Sequence, residues 1–380
     1  MFYFYKYLDK HPIYNLHKFY AEIITVWCNA KNGTTYSNAL LATADCTEFV
    51  NKSPIDFKTT ISNIYLEFSH LTTLQKKRML QGLTINNDIE GLCGGKLNFL
   101  TFDEIKKMRK GLDTLLKDFG YYMYENAIKF TTAFTDKYGS HKVHFDNFKV
   151  ENRKTNSMIG TCPFCGLNGL KTEYHKSKRD AYDHYLPKSK YAFNSINFKN
   201  LAPICDTCNE VYKGTKDPIF DKKKRRRAFY PYSTANDKIQ IDITLSKTCN
   251  LLKPQIKDLA VAYSCPGKNS KINTWKDLFG IDEQLTTKIL DKQKDWFENL
   301  IICYSSLKQV AVANGELFTL SFQNYVKAEI NAYKTRDISD MYFLKGAYLE
   351  ELQRTGRILK YCQPIASKLK TIIKSNYLRS

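Results

Sequence analysis

Two Cys-x-x-Cys pairs, about forty residues apart, constrain this chain more than any other feature of its sequence. The first pair is Cys162 and Cys165, and the second is Cys205 and Cys208. This spacing lets both sulfurs of a pair turn toward one point, so that two pairs supply the four thiolates of a tetrahedral zinc site. Free thiols or two disulfides are the alternatives. We predict one structural Zn²⁺ per chain, and its four protein ligands leave no open position for chemistry.

The charge balance of the chain indicates a polyanionic partner. The 380 residues carry 58 Lys and Arg against 38 Asp and Glu, which gives a net charge of +20 at pH 7. A charge this large favours binding to a polyanion, although it does not by itself distinguish DNA, RNA and an anionic membrane. No apolar run approaches the ~18 residues of a membrane-spanning helix, so we expect no membrane partner.

The other cysteines indicate the compartment. The chain has 11 cysteines, an odd number, and those outside the two pairs are scattered through apolar stretches. Scattered cysteines suit a reducing compartment, where they act as small buried hydrophobic residues. Lys6, Asp9 and Lys10 interrupt the aromatic N-terminus, which lacks the apolar core of a signal peptide. We therefore expect a cytoplasmic protein.

Helical periodicity divides the chain into three predicted parts. Residues 1–150 and 251–380 repeat apolar residues every three or four positions, which is typical of packed amphipathic helices. Residues 155–250 lose this period and are rich in Cys, Pro, Gly, Asn and His. The sequence thus predicts an α+β protein, in which a small central metal-binding domain is flanked by N- and C-terminal mostly helical regions.

Two of these predicted elements have definite boundaries. Asp103 is expected to cap a helix that runs through Leu116 and stops ahead of Gly120. Beyond the central segment, apolar residues alternate strictly from Ile239 to Leu245, which predicts a half-buried strand.

The segment between the two cysteine pairs contains the residue types that phosphodiester hydrolysis needs. Asp183 and His184 are adjacent and precede Pro187, and Asn209 directly follows the second pair. Histidine is often neutral near pH 7 and able to accept a proton, while Asp and Asn offer the oxygen ligands that Mg²⁺ and Mn²⁺ prefer. Neighbouring residues of a regular strand face opposite sides, so Asp183 and His184 can serve one site only where a strand ends or bulges.

The order of these residues resembles the HNH endonucleases, also called ββα-metal or His-Me finger nucleases. In that family Asp-His ends one strand, Asn opens a second strand, and His or Asn follows the second cysteine pair on a helix. The matching residues are Asp183, His184, Asn200 and Asn209, within about fifty residues of resemblance. The resemblance implies that His184 is the general base and that Asp183 and Asn209 bind a single Mg²⁺ or Mn²⁺ ion. It also implies that Asn200 braces the loop that carries the base.

The sequence departs from the family pattern at the next lysine. Family members often place Lys three residues after the metal-binding His or Asn, where this chain has Tyr212 and then Lys213. Both residues lie about one helical turn from Asn209, so either could face a phosphate. His175 is near the motif in sequence, and we interpret it as a structural residue.

A run of six basic residues follows the motif. It consists of Lys222, Lys223, Lys224, Arg225, Arg226 and Arg227. Two interpretations stay open, a solvated loop and a clamp for phosphates beside the active site.

The sequence Asp-His-Tyr-Leu-Pro-Lys-Ser at 183–189, with Phe-Tyr-Pro-Tyr at 229–232, resembles HNH effectors of bacterial anti-phage defence systems. The resemblance implies a DNA endonuclease whose sensing is supplied by a protein partner. An RNase is an alternative, because the motif does not specify the sugar. A zinc-stapled module that binds nucleic acid without cutting it is another; loss of Asp183, His184 or Asn209 would favour it, and all three are present.

Overall fold

A computed structural model of the chain separates into two compact units. The larger unit contains Phe4–Ile159 and Leu170–Ala235, and the smaller one contains Met1–Tyr3, Gly160–Gly169 and Asn236–Ser380. The three-part division inferred from the sequence remains a prediction.

The structure describes most of both units. The described residues are 1–126, 132–155, 160–171, 179–222, 224–235, 237–251, 253–307, 320–336 and 339–360. Two residues singled out in the sequence, His175 and Lys223, lie outside these ranges.

Helices build most of the larger unit. They are α1 (Asn15–Cys28), α2 (Ala44–Lys52), α3 (Ile55–Ser69), α4 (Thr73–Asn86), α5 (Ile89–Gly94), α6 (Phe102–Met108), α7 (Leu112–Glu125), α8 (Thr132–Tyr138) and α9 (His141–Thr155). In α1 the buried residues Phe19, Ile23 and Trp27 recur at helical spacing, so one face of the helix enters the core. The Trp27 indole N–H donates to the carbonyl of Ile61 on α3 at 3.0 Å, which satisfies its polar atom inside that core.

The helix expected from Asp103 to Leu116 is two helices, so that prediction is wrong. Thr101 is the N-cap of α6, with its side chain accepting from the Glu104 N–H. Gly111, at φ +90°, separates α6 from α7, because this left-handed conformation costs glycine little. Gly120 lies inside α7 instead of after a helix end. A Cβ there would be 2.9 Å from the Ser195 Oγ, so the glycine permits close packing.

Short antiparallel strand pairs lie among these helices. Strand β1 (Tyr182–His184) pairs with β2 (Leu201–Pro203), and Asp183 lies opposite Ala202. A π-helix, Thr207–Lys213, follows β2. Strands β3 (Phe220–Asp221) and β4 (Lys224–Arg225) form a second antiparallel pair.

The smaller unit joins one strand pair to helices. Its strands are β5 (Gln240–Leu245) and β6 (Leu259–Ser264), and its helices are α10 (Asn269–Phe279), α11 (Ile281–Leu307), α12 (Leu320–Thr335) and α13 (Tyr342–Arg354). Along β5, Ile243 and Leu245 are buried while Asp242 and Thr244 are exposed, which confirms the predicted half-buried strand. Helices combined with small antiparallel sheets confirm the α+β class. None of the helices described in either unit is long and apolar enough to cross a membrane.

Buried histidines make the larger unit sensitive to acid. Burial lowers the pKa of His144 from 6.5 to about 3, and its ring nitrogens bond to the Tyr14 and Tyr182 hydroxyls. In the unfolded chain this histidine becomes protonated as the pH falls below about 6.5, whereas in the folded unit it stays neutral down to about pH 3. The free energy of unfolding therefore decreases as the pH falls from 6.5 to 3. At pH 5 we expect His144 to cost ~2 kcal/mol of unfolding free energy relative to pH 7.5.

Chemical denaturation at pH 7.5 and pH 5 tests this expectation. His144→Gln should flatten the dependence of stability on pH, because glutamine has no proton to gain. His70 is exposed, so His70→Gln is the matched control and should leave the dependence intact. Equal acid sensitivity in the His144→Gln variant and the intact chain would contradict the assignment.

Candidate functional site

The four cysteines of the two Cys-x-x-Cys pairs come together. The Sγ atoms of Cys162, Cys165, Cys205 and Cys208 all lie within 4.8 Å of one another, and all four side chains are buried. Four thiolates around one Zn²⁺ at ~2.3 Å would be about 3.8 Å apart, so the cluster is close to the size that a tetrahedral site needs. The four cysteines can therefore hold one zinc ion. All four positions of a tetrahedral ion would then be filled by protein ligands, with none open for catalysis.

The backbone around the first pair has the form of a tight turn. The Gly166 N–H donates to the Cys162 carbonyl at 2.8 Å, and Gly166 takes a left-handed φ of +68°. The Leu167 N–H donates to the Cys165 Sγ at 3.4 Å. An amide pointing at sulfur stabilises a thiolate, so this turn is suited to holding a metal ligand.

The predicted metal ligand Asp183 lies in the middle of β1 and is buried. Its Oδ1 accepts a hydrogen bond from the Lys213 Nζ at 2.9 Å, and the two side chains are only 7% and 1% exposed. Its Oδ2 has no hydrogen-bond partner among the described residues. Burial raises the pKa of Asp183, and the charge of Lys213 opposes that rise. A buried carboxylate oxygen without a partner fits a cation ligand, because such atoms are otherwise costly.

The predicted base His184 is the last residue of β1. Its Nε2 lies 2.7 Å from the Ser195 carbonyl oxygen. A carbonyl only accepts, so Nε2 carries the proton and Nδ1 keeps the lone pair that can take a proton from water. Burial, reinforced by the positive charge of Lys188, lowers the pKa of His184 from 6.5 to about 3. The imidazole is therefore neutral at pH 7.

Asn200 is fully buried and fixes the loop that follows β1. Its Oδ1 accepts from the Leu186 N–H at 2.8 Å and its Nδ2 donates to the Leu186 carbonyl at 2.9 Å. The Tyr185 N–H donates to the Asn200 carbonyl at 2.8 Å. Three bonds thus tie the residues directly after His184 to one asparagine.

Asn209 and Lys213 lie on the π-helix that follows β2. The Gly214 N–H donates to the Asn209 carbonyl, five residues earlier, at 2.8 Å. This turn therefore holds one residue more than an α-helical turn, and such π-turns are frequent at functional sites. Asn209 is half-buried. Lys213 is turned away from solvent toward Asp183 instead of being an exposed phosphate contact.

The described members of the basic run divide into two kinds. Lys222, Lys224 and Arg227 are exposed. Arg225 donates to the Ile219 and Lys96 carbonyls at 2.9 and 3.0 Å. Arg226 donates to the Asp217 carbonyl at 2.7 Å. Both arginines thus stabilise the β3–β4 hairpin. Of the members that the structure describes, the exposed three are therefore available to a phosphate.

Two side chains beside the base were not predicted from the sequence. The Tyr124 ring packs edge-on against the His184 ring, with their centroids 4.5 Å apart. The Lys188 Nζ lies 4.2 and 4.5 Å from the ring centroids of Tyr121 and Tyr124. Lys188 follows His184 by four residues, and this short distance in sequence was a weak indication that it lies near the base. Nothing in the sequence indicates that the tyrosines of α7 lie near the motif.

Comparison of the chain with models of protein families, with curated proteins and with solved structures found no significant match.

Proposed function

We propose that this protein is a metal-dependent HNH-type endonuclease that hydrolyses phosphodiester bonds in DNA. The observation that carries the proposal is the arrangement of His184. A neutral imidazole ends a strand, its Nε2 is bonded to a carbonyl, and its Nδ1 can accept a proton. Asn200 supports the same arrangement, because it holds the loop after the base in a fixed position.

The metal belongs to the proposal as well. Asp183 and Asn209 would hold one Mg²⁺ or Mn²⁺, both of which favour oxygen ligands, and the unpartnered Oδ2 of Asp183 fits this role. When bound, the cation stabilises the negative charge that develops on the phosphate. In the proposed reaction each group of residues has its own role. His184 Nδ1 takes the proton of the attacking water, Asp183 and Asn209 would hold the metal, and the cysteine cluster stabilises the fold.

The proposal has two further parts: the substrate is DNA, and a protein partner provides the sensing function. The net charge of +20 favours a polyanion. The partner rests on the resemblance to defence effectors alone.

A panel of nucleic acids tests the activity. Purified protein should cut supercoiled plasmid and linear duplex DNA with Mg²⁺ or Mn²⁺, and should stop cutting in EDTA. Cleavage of RNA alone would replace the DNA substrate with an RNA one. Binding of every nucleic acid without cleavage would replace the enzyme with a binding module.

The exposed residues among the described members of the basic run should contribute to substrate binding. Replacing Lys222, Lys224 and Arg227 with glutamine should weaken DNA binding and reduce the slope of log affinity against log salt by about 1 for each lost phosphate contact. Thermal stability should stay near that of the intact chain. Arg225→Gln is the contrasting variant and should lower stability, because its guanidinium bonds to backbone carbonyls. A salt slope unchanged in the triple variant would identify the run as a solvated loop.

A further inference from the structure

A buried ion pair inside the candidate site joins Asp183 to a lysine. The Lys213 Nζ lies 2.9 Å from the Asp183 Oδ1 and 3.2 Å from the His184 carbonyl oxygen. Both side chains of the ion pair are nearly inaccessible to solvent. A carboxylate buried to this degree needs a cation, and Lys213 supplies one from within the chain.

The ammonium group contacts the carboxylate that would hold the proposed metal ion. Asp183 is the acidic member of the proposed ligand pair, and one of its two oxygens already accepts from Lys213. The π-turn carries Asn209 and Lys213 four residues apart, so the other proposed ligand lies on the same helical turn as the lysine.

The ion pair with Lys213 satisfies only one of the two Asp183 oxygens. A carboxylate kept only for stability is expected to have both oxygens satisfied, because an unpartnered buried oxygen is costly. Asp183 keeps its Oδ2 without a hydrogen-bond partner among the described residues. The lysine thus neutralises the carboxylate but leaves part of its ligand capacity unused.

From these contacts we infer that Lys213 is the internal counter-cation of Asp183, and that a divalent metal ion competes with its ammonium group for this carboxylate. The inference rests on the proposed function, since it concerns the same metal site. In the metal-free protein the lysine holds the Asp183 carboxylate in place, and it would be displaced from Oδ1 when a divalent ion takes over the carboxylate charge. Metal affinity is accordingly set below what Asp183 and Asn209 alone would give.

Mn²⁺ binding, followed by electron paramagnetic resonance of the free ion, tests the competition without any activity assay. The protein retains its zinc, and nucleic acid is left out. Lys213→Met should bind Mn²⁺ about tenfold to a hundredfold more tightly than the intact chain, because a charge-assisted bond no longer has to be broken. Lys216 is exposed and three residues away, so Lys216→Met is the matched control and should bind like the intact chain. Asp183→Asn should weaken binding, which identifies the site.

A second readout needs no variant and keeps the test decisive if Lys213→Met does not fold. Brief amine acylation followed by mass spectrometry reports how accessible each lysine is. Lys213 should be protected in the metal-free protein and become labelled when Mn²⁺ saturates the site, whereas Lys216 should label equally in both states.

The outcomes separate the two proposals. Mn²⁺ binding that depends on Asp183, with unchanged affinity in Lys213→Met or unchanged Lys213 labelling in the intact chain, would overturn the competition and leave the nuclease proposal standing. Absence of any Asp183-dependent Mn²⁺ binding would overturn the metal site itself, and the competition with it.

Discussion

His184→Ala is expected to slow DNA cleavage by about 10²- to 10⁴-fold, the range typical for loss of a general base. The variant removes Nδ1, the proposed proton acceptor, and leaves Asp183 and Asn209 to hold the metal. Binding of Mn²⁺ and of DNA should therefore stay near the intact values. Single-turnover cleavage of a labelled duplex, with binding measured in parallel, checks both halves of this expectation. His70→Ala, at an exposed position outside the site, should cut at the intact rate.

Asn209→Ala should also stop cleavage, but for a different reason. It weakens the metal site, so raising the Mn²⁺ concentration should restore part of the rate, while His184→Ala stays inactive at every concentration. Asn209→His refines the test, because imidazole suits Zn²⁺, Ni²⁺ and Co²⁺ better than Mg²⁺. This variant should keep some activity and shift its preference toward those softer ions. Rescue of both alanine variants by Mn²⁺, or of neither, would contradict the division between base and ligand.

Zinc removal should have the second large effect. Purified protein should contain about one Zn²⁺ per chain, and Cys208→Ser should lose most of it, because one of the four thiolates in the cluster is removed. Structural zinc sites contribute ~10–16 kcal/mol of apparent binding free energy in small domains, so we expect the unfolding midpoint to fall by ~10 °C or more.

Mass spectrometry measures the zinc content per chain, and calorimetry measures the unfolding midpoint. Cys303 is exposed, and Cys303→Ser is the control that should keep both the zinc and the midpoint. Folded protein that contains no zinc after preparation without chelators would contradict the assignment of the cluster.

How far the fold could be predicted depended on whether the signal was local. Strand β5 was predictable, because alternation from Ile239 to Leu245 is itself the imprint of a half-buried strand. The break between α6 and α7 was not. Gly120 looked like a helix terminator, yet it is required because Ser195, distant in sequence, packs against it.

In the candidate site, too, some residue positions could be predicted from the sequence and others could not. The resemblance implied that Asp183 and His184 end one strand and that Asn200 opens a second; His184 ends β1, and Asn200 directly precedes β2. The resemblance did not predict that Lys213 points inward, because a lysine near a helix end is usually solvated. The Lys213 side chain points inward because of the π-turn and because of the buried Asp183 carboxylate that it contacts. Neither feature can be recognised from the residues around Lys213 in the sequence.

Metal-dependent cleavage of supercoiled plasmid is the measurement that tests the central claim most directly. The intact protein and an Asp183→Asn/His184→Ala double variant are purified in parallel and assayed across the fractions of a final sizing column, with Mn²⁺ and with EDTA. We predict that cleavage follows the intact protein peak, requires Mn²⁺, and is absent from the double variant. Equal cleavage by both proteins, or no cleavage by pure intact protein with Mg²⁺ or Mn²⁺, would contradict the proposal that this chain is a nuclease acting through Asp183 and His184.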